Sequence, residues 1–462
     1  MYHRPHPTGN KHASSATHAA ARSVQFTATR ARGLWKENAA RERERERDRD
    51  RRPPPEVATV QCTLHRADTA IIGDTLDFST LSVHELNGTA VSPAAVLAGL
   101  QATDHDDVFY HLWVAARHAI DESGGRRLDK RMIRDAMERL MVEVGIAMYE
   151  RSGGPQLTFV DPRRNDDAVA MVRSARRLVT LFHARGMSQR EIVISIPATE
   201  AGVAAARELE ANHGIHTNLI LVASLMHAAV CAEARATTIS IAVGPLLQCH
   251  ERKRNAVYQD LALHPGIEII QATLAYFKFH EIRTRVVGRD FRAMPEISAL
   301  PGFDAVCLSK EQLDVSLWKA ETRSADFPAR SPQASMRARQ AQHPTTFLES
   351  EIGFMELMSA EARGMLAAAM FPALGKMELQ MNAIEKLVME EVAWQLALNT
   401  LSLGALYELR DAPPSNPTGK TRDPESNQVG ARAGSEGRRR MPLGEATGRQ
   451  NEGGLIEGVE YF

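Results

Sequence analysis

A chain of 462 residues is long enough for one large barrel or two smaller domains, each able to bury a full apolar core. Its 56 lysines and arginines almost cancel its 57 aspartates and glutamates, so no global field marks nucleic acid or an acidic membrane surface as the main partner. The four cysteines, Cys62, Cys231, Cys249 and Cys307, are widely spaced with no CxxC pair, which argues against a disulfide framework or a zinc site and favours a reducing compartment.

Residues 1–36 carry Arg4, Lys11, Arg22, Arg30, Arg32 and Lys36 but no acidic residue, among many alanines, serines and threonines. That composition suits a mitochondrial transit segment, with an unstructured tail on a cytoplasmic protein as the simpler expectation. The alternating charges of Arg41 to Arg52, closed by Pro53, Pro54 and Pro55, have no apolar face to dock. Residues 1–60 are therefore expected to form a low-complexity, disordered extension. From Asp411 onward glycine, proline, serine and charge dominate, with Arg438, Arg439 and Arg440 in a row, so 411–462 is expected to be a disordered polar tail.

Between these ends, in 61–410, short apolar runs alternate with amphipathic stretches, the pattern of strands separated by helices in a parallel sheet. The runs are Ala70 to Gly73, Gly88 to Val91 (the weakest), Gln156 to Val160, Glu191 to Ile196, Asn218 to Val222, Thr238 to Val243, Arg285 to Gly288 and Asp304 to Leu308. Helices are expected over Asp167 to Ala184 and Thr199 to Asn212, and a long helical region over Thr346 to Leu409. Eight such units favour an α/β fold of the (β/α)8 TIM-barrel type, with extra C-terminal helices, over an open doubly wound sheet. No GxGxxG or Walker motif follows a strand, which argues against a nucleotide cofactor. The apolar runs all fall short of the roughly 18 to 20 residues that span a bilayer, so a soluble protein with no membrane partner is expected.

The segment Glu208-Leu-Glu-Ala-Asn-His-Gly-Ile-His-Thr-Asn218-Leu-Ile-Leu, continuing through Ala229-Val-Cys-Ala-Glu-Ala234 to Ser240-Ile-Ala-Val-Gly244, resembles the middle of transaldolases. Further similarity lies at Ile71-Ile-Gly-Asp74, Val160-Asp-Pro-Arg163, Val193-Ile-Ser-Ile-Pro-Ala-Thr199 and Val286-Val-Gly-Arg-Asp-Phe-Arg292, in family order. The resemblance implies a barrel of the class I Schiff-base aldolase superfamily, acting in pentose phosphate carbon metabolism by transferring a dihydroxyacetone unit between sugar phosphates, with no cofactor or metal. In that family a lysine on the fourth strand forms the Schiff base. Its iminium is the electron sink for carbon–carbon cleavage, and carboxylates move the protons.

Carried over residue by residue, the resemblance gives Asp74 as the carboxylate that handles the substrate hydroxyl and Asn218 as the asparagine beside the Schiff base. Ser240 matches a serine of the site and Arg292 a phosphate-binding arginine. Ser195 stands at the lysine position, Phe159 at that of the glutamate that activates water, and Ser92 at that of the asparagine before proline. Ala242 replaces a phenylalanine, and Pro245 an arginine that helps to hold phosphate.

A serine hydroxyl cannot form an iminium, so the leading expectation is a degenerate, transaldolase-like pseudoenzyme still able to bind a sugar phosphate. Each residue also has a plainer reading: Asn218 as a satisfied buried amide, Arg292 as a surface arginine in an ion pair, and Ser195 with Phe159 as filler of the vacated space. Two alternatives stand beside the first. One is an active transferase with relocated chemistry, using Lys310 with Asp74. The other is a non-catalytic regulatory or structural partner, forming a homo-oligomer or pairing with an active transaldolase.

Overall fold

The computed structural model describes residue 64 and residues 68–102, 106–124, 127–316, 331–341 and 347–410. The expected terminal extensions, 1–60 and 411–462, lie outside these described residues. The chain divides into two units, Met1–Leu406 and Tyr407–Phe462, and the first holds the barrel.

Eight parallel strands close in sequence order: β1 (Ala70–Gly73), β2 (Gly88–Ala90), β3 (Gln156–Phe159), β4 (Ile192–Pro197), β5 (His216–Ile220), β6 (Thr238–Ala242), β7 (Arg285–Arg289) and β8 (Ala305–Leu308). Each pairs with the next, and β1 pairs with β8, as Ile72↔Cys307 and Gly73↔Leu308. The (β/α)8 barrel expected from periodicity is the observed fold. Two strand ends differ from the sequence reading in a way that matters. Strand β5 begins at His216, which puts Asn218 mid-strand, and β7 runs one residue past Gly288 to include Arg289.

The first helices, α1 (Phe78–Val83) and α2 (Pro93–Gln101), follow β1 and β2. Asp77 caps α1, accepting from Ser79 and Thr80 amides at 3.0 and 3.2 Å, while Ser92 caps α2, whose Pro93 needs no amide partner. Two long helices then intervene before β3, α3 (Asp106–Glu122) and α4 (Lys130–Ser152), and α5 (Ala168–Ala184) follows it. On α5 the apolar positions Met171, Ala175, Leu178, Val179 and Phe182 recur at three- and four-residue spacing and are buried against the sheet.

Helix α6 (Glu200–Glu208) follows β4 through a tight turn: Thr199 caps it by accepting from the Gly202 amide, and a Cβ at Gly202 would lie 1.8 Å from the Pro197 carbonyl oxygen. Only glycine fits there. A π turn, Leu209–His213, continues α6 and ends on Gly214 at φ 59°. Glu210 in that turn accepts from the amides and hydroxyls of both Thr217 and Thr237, at 2.7 to 2.9 Å, and so fixes the starts of β5 and β6.

Helices α7 (Leu225–Glu233), α8 (Val243–Arg254), α9 (Pro265–Phe279), α10 (Met294–Ser298) and α11 (Lys310–Ser316) complete the ring, followed by α12 (Pro332–Gln340), α13 (Phe354–Leu357) and the 51-residue α14 (Ala360–Arg410). Helix α14 buries Leu366, Met370, Leu374, Met381, Ile384, Val388 and Val392 against the body. Its segment from Ala368 to Gln380 borders the cavity at the C-terminal mouth of the barrel, and Pro372 lies within that segment. No helix among the described residues is long and apolar enough to cross a membrane.

Candidate functional site at the C-terminal mouth

Side chains alternate along each strand, so residues two apart share a face. The barrel interior is lined by Ile72, Ala90, Leu157, Val193, Val287, Ala305 and Cys307, a cluster separate from the outer core. Two residues further along, the same parity brings Asp74, Ser92, Phe159, Ser195 and Arg289 toward the C-terminal end, where the active sites of such barrels lie. Three expected site residues sit side by side through the strand register, Phe159↔Ser195 and Ser195↔Asn218. Asn218 Nδ2 donates to Ser195 Oγ at 3.1 Å, and Ser240 Oγ donates to Asn218 Oδ1 at 2.9 Å. All four are buried, Asn218 completely. The Asn218 amide is thus satisfied within the barrel, as its plainer reading anticipates, and Phe159 closes the other end of the row with an apolar ring. No lysine occurs in any of the eight strands.

A cavity of about 820 Å³ lies at the C-terminal strand ends, bordered by Asp74, Ser92, Ala242, Pro245, Arg289 and Cys307 and by the α14 segment, while Phe159, Ser195, Asn218 and Ser240 are not part of its lining. Asp74 Oδ2 accepts from an Arg289 guanidinium nitrogen at 3.0 Å, and a second Arg289 nitrogen lies 3.4 Å from Asp290. Burial pushes the Asp74 carboxyl above the ordinary range, opposed by the Arg289 charge and by Ser92. Its other oxygen, Oδ1, is buried without a hydrogen-bond partner. An unpaired carboxylate oxygen at a barrel mouth is what a substrate hydroxyl would satisfy. Cys307 beside it is kept a neutral thiol by burial, reinforced by the Asp74 charge. Two non-glycine residues of the rim, Leu221 at φ 68° and Asp290 at φ 54°, adopt left-handed backbone.

Arg289 is the site residue that the sequence reading missed. Ending β7 at Gly288 left it in a loop, whereas alternation from Val287 carries it inward as the last strand residue. Strand parity was the available signal, and a single-residue boundary shift hid it.

Two expected cations meet carboxylates of the protein itself. Lys310 does not face Asp74: its amine is bound to Asp77, and that hydrogen bond raises its pKa, so it is a protonated cation and not a nucleophile. Asp77, already aligned by the first turn of α1, is the nearer and better acceptor. For Asp77, burial acts upward, but the hydrogen bonds from Lys310, Ser79 and Thr80 hold the carboxyl far below its usual range. Arg292, unlike Lys310, is not among the residues that border the cavity. Its guanidinium donates to Glu296 at 2.6 Å and to both Glu251 oxygens at 3.0 and 2.9 Å, and two carboxylates leave it little charge to offer a phosphate. The cations that border the cavity without an ion-pair partner among the described residues are Arg252 of α8 and Lys376 of α14.

Comparison with known proteins places this barrel. The family model described as Transaldolase/Fructose-6-phosphate aldolase matches residues 102–351. Transaldolase of Homo sapiens is 31% identical over 267 residues, covering 58% of this chain and 77% of the human protein. Transaldolase of Bos taurus is 30% identical over 267 residues with the same shares, and that of Saccharomyces cerevisiae is 31% identical over 251 residues, 54% of this chain and 73% of the yeast protein. With a closed eightfold barrel, a family match over more than half its length and relatives this similar, the chain belongs to the transaldolase/fructose-6-phosphate aldolase family.

Proposed function

We propose that this chain is a transaldolase-like protein that binds a sugar phosphate at its C-terminal mouth and does not form the Schiff base. The supporting observation is the row Phe159–Ser195–Asn218–Ser240. The central strand position that the resemblance reserves for an amine carries a hydroxyl already engaged by Asn218, and no strand supplies a lysine elsewhere. A hydroxyl adds to a carbonyl only to give a hemiketal, which has no electron-sink character, so aldol cleavage lacks its first step. The two lysines at the rim do not replace it. Lys310 is a paired cation, and Lys376 is an exposed residue of α14.

Binding has its own support. The free oxygen of Asp74 and the donors of Arg289 meet hydroxyls, while Arg252 and Lys376 offer uncompensated charge for a phosphate, in place of Arg292. Borohydride treatment with fructose 6-phosphate followed by peptide mass analysis tests the chemistry: no lysine adduct is expected, and an adduct on any lysine overturns the reading. Calorimetry with the same sugar phosphate tests retention: binding that is lost when fructose replaces fructose 6-phosphate is expected, and absence of binding removes the retained-pocket half of the proposal.

A further inference from the structure

Among the described residues, the opposite end of the barrel also borders a cavity. Barrels of this type normally fill their interior with layers of bulky branched side chains. Here the N-terminal layer includes the small side chains of Ala70 and Ala305 beside Ile72, Leu157, Val193 and Val287. These side chains floor a cavity of about 1120 Å³, larger than the one at the C-terminal mouth. Its rim carries four exposed arginines: Arg190 just before β4, Arg235 before β6, and Arg283 and Arg285 at the start of β7.

None of the four has an ion-pair partner among the described residues. The rim acids are already in use. Glu191 accepts from the Tyr149 hydroxyl at 2.6 Å and from the Ser188 amide at 3.2 Å, and Asp304 accepts from the Val286 amide at 2.6 Å. The rim imidazole is occupied too: His216 Nδ1 lies 2.9 Å from the Thr237 hydroxyl and 3.7 Å from Glu210, whose hydrogen bond raises the His216 pKa and whose charge offsets that of the imidazolium. Four guanidiniums against two acids leave the rim net positive over a greasy well. Guanidiniums hold oxyanions bidentately, and the well takes hydrocarbon.

We infer that the N-terminal mouth binds a small amphipathic anion, its compact hydrocarbon body in the well between Ala70, Leu157, Val193 and Ala305 and its carboxylate or phosphate head among Arg190, Arg235, Arg283 and Arg285. This site is independent of the sugar-phosphate reading, since the two cavities open at opposite ends of the strands.

Calorimetry on the full chain with octanoate and octyl phosphate tests it, with 1-octanol as the uncharged control and inorganic phosphate as the control without a tail. Saturable binding of at least one of the two anions is expected, tighter than either control by about tenfold or more. Which anion binds more tightly identifies the head group. Arg283→Glu with Arg285→Glu, both at exposed positions, should weaken that binding by about tenfold or more. Ala70→Leu, which fills the well without touching charge, should weaken it while leaving the weak response to inorganic phosphate unchanged. Raising salt from low to high should weaken binding of the anions but not of octanol. Undiminished affinity in the double charge reversal, equal affinity for octanol and octanoate, or no binding of either anion by the wild-type chain would each overturn the assignment.

Discussion

The two ends of this barrel treat their arginines in opposite ways. At the C-terminal mouth Arg289 is nine-tenths buried and locked to Asp74 and Asp290, and Lys310 is locked to Asp77, so the charges near the strand ends are compensated from within. At the N-terminal mouth four arginines stand exposed over an apolar well, while the neighbouring acids spend their hydrogen bonds on a hydroxyl and on amides. Burial explains the contrast. A guanidinium taken out of water needs a carboxylate beside it, whereas one left in water does not. Internal neutrality at one end is compatible with a pocket shaped for a polar neutral body with a single phosphate at the rim. Excess charge at the other end is compatible with a ligand that brings its own negative charge.

The comparison breaks most sharply at Arg289. Arg289→Ala should leave Asp74 buried without its counter-charge and cost about 3 to 5 kcal/mol in urea unfolding near neutral pH. Burial already holds the Asp74 carboxyl above its ordinary pKa and loss of Arg289 raises it further, so the defect should be full above the variant's still higher value. It should shrink as pH falls through it, because a neutral carboxyl needs no partner. A defect that does not change with pH would mean that lost packing dominates.

Glu210→Ala should come next, at about 2 to 4 kcal/mol, because it strips the Thr217 and Thr237 amides of their acceptor where two strands begin. The wild-type pair Glu210–His216 also has a pH window. The Glu210 pKa is lowered: burial raises it, but hydrogen bonds from His216, Thr217 and Thr237 outweigh burial, so its contribution is lost as pH falls through its depressed value. The His216 pKa is raised by Glu210, so its contribution is present below the ordinary histidine pKa of 6.5 and fades as pH rises through the raised value. Thermal midpoints of wild type and variant measured across that range should be furthest apart between the two values.

At the row beneath the C-terminal mouth, Asn218→Ala should cost about 1 to 3 kcal/mol by leaving the hydroxyls of Ser195 and Ser240 without their shared partner. Ser195→Lys with Phe159→Glu sharpens the functional side of the same row: a borohydride-trapped adduct with fructose 6-phosphate at position 195 would show that only the chemistry had been removed from an intact pocket. The smallest effect is expected at Arg292→Ala, under about 1 kcal/mol in stability, with no change in sugar-phosphate affinity, because its charge is already cancelled by Glu251 and Glu296.

Much of this was legible before any coordinates. Apolar runs of strand length, each followed by an amphipathic stretch, announce a parallel barrel, because a strand buried on both faces has no room for polar alternation. Ser195 and Phe159 fall on neighbouring strands in the sequence reading, and the register pairs Phe159 with Ser195. Arg289 was hidden because a strand end can shift by one residue with no change in composition, and parity turns that one residue from loop to interior. Lys310 and Arg292 were read toward the mouth because a residue's place along the chain says nothing of which carboxylate lies nearest in space.

What the sequence determined by itself is therefore the barrel, its family and the absence of lysine from the eight strands, all of which depend on residue type at periodic positions. Only the tertiary structure decided which charges meet: Asp74 with Arg289 and Lys310 with Asp77, while the four arginines at the far mouth form no ion pair among the described residues. The physical reason is distance. Hydrophobic burial follows local pattern, whereas an ion pair depends on a few ångströms between groups as far apart in sequence as residues 74 and 289, and that separation exists only once the sheet has closed.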